Sequence, residues 1–197
     1  MNNGQVLDIR ATGIRDGGIV DKCLIVLLGS AKSPVSETRI QNAMFLFSAD
    51  EQNARIHFGF FAGGRGPHSS LLQSRCEELC KRGVLAAEPR GGQACYMLSA
   101  AGRCTYDELA GNTDAGLQDM IAGTLAFLDN MTDEEMRAYM CRAHPGASKN
   151  SSSYEGIMPK SDDLIIGLVR KNALAPAEAA RLLDTTRYAV MHRVEYC

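Results

Sequence analysis

Few side chains in this sequence have the type and spacing that covalent chemistry needs. Cys76 and Cys80 stand one helical turn apart and, joined by Cys95 or Cys104, would make a thiolate metal site. Such sites are usually announced by closer-spaced pairs, whereas the seven cysteines (Cys23, Cys76, Cys80, Cys95, Cys104, Cys141 and Cys197) include no C-x-x-C and several sit on apolar stripes. Reduced thiols packed in the core are the expectation, without metal. His57, His68, His144 and His192 are scattered, with no carboxylate or thiol at the spacing of a triad or a cage. The glycine-rich stretch from Gly59 to Gly66 lacks both the G-K-[ST] ending of a phosphate loop and the spacing of a dinucleotide fingerprint. The sequence therefore points away from catalysis, and it suggests no catalytic residue and no cofactor.

Recognition chemistry is better represented. Arg65, His68, Ser69, Ser70, Gln73, Ser74 and Lys81, with Arg90 further on, form a run of small polar and cationic side chains suited to phosphates and base edges. A second set, Thr185, Arg187, Tyr188, His192 and Arg193, lies close to the end of the chain. Glu77 and Glu78 oppose phosphate within the first set. The net charge of −2 gives no global pull towards nucleic acid, and residues 113–157 carry three basic against seven acidic side chains. Any phosphate contact must therefore be local.

The elements that position these residues follow from periodicity and punctuation. At 45% hydrophobic and 22% charged the 197 residues suit a folded protein. No run of about 18 apolar residues occurs and the start lacks the pattern of a signal peptide, so a cytoplasmic protein without membrane contact is expected. Ile19 to Leu28 is apolar on most faces, as a buried helix is. Thr38 and Gln41 have the spacing of a capping box that would open a second helix, whose Ile40, Ala43, Met44 and Phe47 face the first. A short extended segment from Arg55 to Phe61 and a flexible loop lead to a third helix beginning near Pro67, with Leu72, Cys76 and Leu79 inward and Gly83 as its stop. Residues 84–88 and 94–98 read as strands joined by a five-residue link, and Ser99 caps a helix reaching Ala110. The expected class is mainly α with a small β-hairpin (α+β). The order helix, helix, helix, hairpin, helix is that of a winged helix-turn-helix with one extra helix.

The segments ETRIQNAMFLFS, GRGPHSSLLQSRCEELCKRGVL and YMLSAAGRCTYDEL resemble a largely uncharacterised group of prokaryotic, chiefly archaeal, winged-helix proteins. In that group a T-R-L-Q-K helix, a Y-G-P-[YF]-S turn, a D-L-E-x-L-x-x-x-G-L-I helix and an L-T-x-x-G-R step follow in this order. The likeness covers about residues 20–147 and extends through TDEEMRAYMCRAHPGASKNSS. Gly64 and Arg65 replace the usual tyrosine and its neighbour, and His68 replaces an aromatic. The resemblance implies a winged-helix fold and, through it, a DNA-binding transcriptional regulator.

Beyond the wing, Leu117, Ile121 and Leu125 or Leu128 form a narrow stripe, and Thr132 with Glu135 opens a helix that carries Met136, Tyr139 and Met140 inward. Such seams suggest dimerisation, with folding back onto the winged helix as the alternative. Asn150 to Gly156 reads as a linker. After it, Asp162 to Lys171 forms a helix, and Leu174 to Val194 resembles a helix-turn-helix of the kind L-x-P-x-E-A-A-x-L-L-G-V-S-R-x-T-V-x-R, with Asp184 where glycine is usual. The expected organisation is an arm (1–18), a winged-helix domain (19–112), a helical extension (113–147), a linker (148–160) and C-terminal helix-turn-helix-like helices (161–197). The expected partners are double-stranded DNA and a second copy of the chain, with paired third helices roughly 34 Å apart. The alternative is an adaptor, antitoxin-like or phage-associated, that uses the same fold to bind a protein.

Overall fold

The computed structural model describes residues 18–50, 56–149 and 154–196. The arm expected over residues 1–18 lies outside them but for Gly18, as do residues 51–55, Asn150 to Ser153 and Cys197. The described chain is mostly helical with a small antiparallel sheet, an α+β arrangement. No described helix is long and apolar enough to cross a membrane.

Helix α1 (Gly18–Ser30) is buried at every residue from Val20 to Leu28. A helix apolar on all sides must be surrounded, and α3, α4, α5 and β5, defined below, pack around it. A two-residue strand β1 (Val35–Ser36) leads into α2 (Glu37–Ala49). The cap of α2 is Ser36, whose hydroxyl accepts from the Arg39 amide, in place of the expected Thr38–Gln41 box. Those two side chains are occupied elsewhere: Thr38 donates to Gln93, and Gln41 pairs with the backbone of Ser69. Ile40, Ala43, Met44 and Phe47 are buried as expected, although the main neighbour of α2 is α5 and not α1.

The loop expected to be flexible is a hairpin, β2 (Phe61–Gly63) and β3 (Gly66–His68), turning at Gly64 and Arg65. Pro67 therefore sits in a strand opposite Ala62, and the next helix, α3 (Ser70–Lys81), begins after it with Ser69 as cap. Leu72, Cys76 and Leu79 face the core, and Gly83 takes a φ of +72° to end the helix.

Strands β4 (Leu85–Arg90) and β5 (Gln93–Leu98) are longer than the sequence suggests, because only Gly91 and Gly92 form the turn. Both have positive φ, +56° and +77°, as a tight two-residue hairpin turn of the I′ kind requires. Strand β1 pairs with β5, so the sheet order is β1-β5-β4.

Helix α4 (Ala100–Ala110) is capped by Ser99 and α5 (Ala115–Asp129) by Asp114. On α5 the stripe Leu117, Ile121, Leu125 and Leu128, a candidate seam for a second copy, is fully used inside the chain against α1 and α2. Burying each such side chain is worth about 1.5–3 kcal/mol, so the seam is not left over for a partner. Helix α6 (Asp133–Ala143) opens with the Thr132–Glu135 capping box, followed by the short α7 (Pro145–Ser148).

The described part of the expected linker is helical: α8 (Tyr154–Ile157) and a single 3-10 turn, Met158–Lys160. Then come α9 (Ser161–Arg170), α10 (Pro176–Leu182) and α11 (Arg187–Tyr196). Asn172 and Asp184 take the left-handed conformation at the two turns, with φ of 57° and 49°. Ile165, Leu168, Leu174, Ala179 and Val190 join the same core as α1, and α9 packs on α6.

Candidate nucleic-acid interface

Helix α3 presents Ser70, Ser74 and Lys81 to solvent, together with Leu71 and Glu77. Its orientation is set from behind. Asp21 on α1, wholly buried, receives both Arg75 and Arg82, and Arg75 also meets Glu78. Two of the cations on this segment are thus anchors, and one of the two opposing glutamates is neutralised.

The β2–β3 turn overhangs the first turn of α3 and makes a polar cleft of about 310 Å³. Arg65 and His68 line it from the hairpin, Gln73 from α3, Thr38, Gln41 and the carboxylate-bearing Glu37 from α2, and Gln93 from β5. Arg65 is exposed, while His68 is half-buried with its ring edge-on to Phe61 at a centroid distance of 5.2 Å. A second cleft continues from Arg65 past Gly91 to Asp133 and Arg137 at the start of α6. In the sequence Thr38 and Gln41 read as a capping pair and Gln93 and Arg137 carry no signal, because these residues come together only through the tertiary fold.

Ser69 does not belong to this surface, contrary to expectation. It is fully buried: its hydroxyl caps α3 at the Leu72 amide and donates to the Phe58 carbonyl. Arg90 is exposed at the end of β4 but is paired with Glu88 on the same strand. In the C-terminal set, Thr185, Arg187, Tyr188 and His192 are exposed. Arg193 is not free for phosphate, since it is bound to Asp162 and Asp163 on α9.

Among the described cysteines Cys23, Cys76, Cys95 and Cys141 are buried as expected and Cys80 is half-buried, whereas Cys104 is exposed. Burial pushes the thiols of Cys23 and Cys76 up to about 12, and Cys80 is also raised by burial with Glu77 adding to it. Among the described residues no three His, Cys, Asp or Glu side chains converge as a metal site. His144 packs edge-on to Phe45 at 5.1 Å.

No family model, curated protein or solved structure matches the chain.

Proposed function

We propose that the chain is a DNA-binding transcriptional regulator of the winged-helix kind, acting as a homodimer, with α3 in the major groove and the β4–β5 turn beside the backbone. The observation that carries this reading is the open polar face of α3, Ser70, Ser74 and Lys81, held outward by the buried Asp21 behind it. The element order α1-β1-α2-β2-β3-α3-β4-β5 with sheet order β1-β5-β4 supports it, since apart from the β2–β3 hairpin inserted between α2 and α3 it is the order of a winged helix, whose third helix and hairpin lie on one side. So does the resemblance of residues 20–147 to winged-helix proteins. Arg65 lies beside the first turn of α3, where a phosphate would pass.

Fluorescence anisotropy with mixed-sequence duplex DNA over a salt series tests the proposal. Binding should weaken steeply with salt, and Arg65→Ala and Lys81→Ala should each lower the log–log slope by about 1. Leu71, 42% exposed, and Glu77 on the same helix favour a second reading, a protein-interaction adaptor. Absence of salt-dependent duplex binding would replace the first reading with this one.

A further inference from the structure

Helix α11 carries two outward stripes, exposed except at the half-buried Met191, whose chemistry is symmetric under reversal. Tyr188, His192 and Tyr196 recur every fourth residue, with ring centroids 6.5 Å and 4.8 Å apart along the helix. Tyr188 is 80% exposed and Tyr196 73%, the largest exposures among the big hydrophobic side chains described. Beside them Arg187, Met191 and Glu195 make a second i, i+4 row. Read from the other end, the first row is unchanged and the second exchanges arginine for glutamate.

A two-fold axis across an antiparallel helix pair performs that reversal. It sets Arg187 opposite Glu195 of the partner subunit, Tyr188 beside Tyr196 of the partner subunit, and the middle residues Met191 and His192 against their own copies. The helix macrodipole supports this arrangement. Arg187 begins α11 and Glu195 nearly ends it, so each charge sits at the end where its own helix disfavours it. In an antiparallel pair each end lies beside the opposite end of the other helix, and both charges are compensated.

We propose that α11 is the contact between two copies of this chain, packed antiparallel about a two-fold axis near Met191 and His192. The proposal deepens the dimeric part of the function proposed above but needs no DNA. A nucleic-acid face is the weaker reading of α11: the face includes a carboxylate, and Arg193 is committed to Asp162 and Asp163. Exposed tyrosine with methionine and arginine is the composition of a protein interface. A helix of ten residues is about 15 Å long, so the contact lies at the small end of specific interfaces and its dissociation constant should be on the order of micromolar.

Sedimentation velocity of the whole chain over a hundredfold concentration range, without DNA, tests this. The parent chain should pass from monomer to dimer. Arg187→Glu and Glu195→Arg should each raise the dissociation constant at least tenfold, by placing like charges opposite one another, and the double variant should restore it. Each single reversal suits its own helix dipole better, so loss of the dimer cannot be assigned to an unfolded α11. Tyr188→Ser with Tyr196→Ser should be monomeric with an unchanged circular dichroism spectrum. A parent chain monomeric throughout, a dimer that survives the tyrosine variant, or a double reversal that fails to restore association overturns the proposal. If Arg187→Glu instead abolishes duplex binding in a chain that is always monomeric, α11 is a DNA face. Duplex binding measured separately on the parent chain shows whether the reading of α3 fails independently.

Discussion

Arg75 on α3 grips both carboxylate oxygens of Asp21 on α1, Nε to Oδ1 at 2.7 Å and Nη2 to Oδ2 at 2.6 Å. Arg82 adds a longer contact to the same carboxylate at 3.4 Å. Asp21 is wholly buried, so removing it strands Arg75, which is largely desolvated to meet it. Asp21→Ala should cost about 3–5 kcal/mol, and replacing both partners, Asp21→Leu with Arg75→Met, should recover much of the loss. Urea denaturation of these two variants beside the parent chain checks this. Equal losses for the single and double variants would show that the pair does not act as a unit.

Gly102 lies where a β-carbon would run into the Val84 carbonyl oxygen, which also accepts the Ser99 amide at 3.0 Å. Backbone cannot step aside as a flexible side chain can. Gly102→Ala should destabilise by about 1–3 kcal/mol, a fall in Tm of roughly 2–12 °C. Gly123→Ala, which meets open space on α5, serves as the control and should leave Tm unchanged or raise it.

His144 titrates below the usual 6.5, because burial disfavours its charged form and Arg181 adds to the effect. The unfolded chain then binds the proton more readily than the folded one. The stability that depends on neutral His144 is complete above about pH 6.5 and is lost progressively as pH falls from there through the lowered folded value. Denaturation midpoints measured from pH 7.5 to pH 5 should therefore fall less in His144→Phe than in the parent chain. Parallel curves would remove His144 as the cause.

Glu77 is exposed on α3 and is the carboxylate there without a cation, being hydrogen-bonded to Gln73 at 3.5 Å. If α3 faces phosphates, Glu77→Gln should tighten duplex binding about twofold to fivefold, as expected for one screened like charge. Anisotropy titrations at low and moderate salt check the gain, which should shrink as salt rises. An unchanged affinity would place this helix away from the duplex.

The elements that depend on local chemistry were legible in the sequence. Ser99 and the Thr132–Glu135 box open helices where their spacing predicts, Gly83 ends α3, and Asp184 adopts the left-handed turn. What escaped were choices decided by distant neighbours. Thr38 and Gln41 satisfy a capping pattern on paper, yet Gln93 and Ser69 claim them and Ser36 caps instead. The Gly91–Gly92 pair permits either a loose link or a tight turn, and pairing out to Arg90 and Gln93 selects the tight one. Ser69 has the composition of a phosphate contact and the position of a buried cap. The α5 stripe reads the same whether it meets a second copy or its own chain, because periodicity says that a face is buried and not against what.

The carboxamide of Gln41 donates to the Ser69 carbonyl at 3.1 Å and accepts from the Ser69 amide at 2.8 Å, taking the part of a missing backbone strand. Such a two-point splint ties the cap of α3 straight to α2, so the start of α3 is held by a side chain of the preceding helix and not by the path of the chain between them.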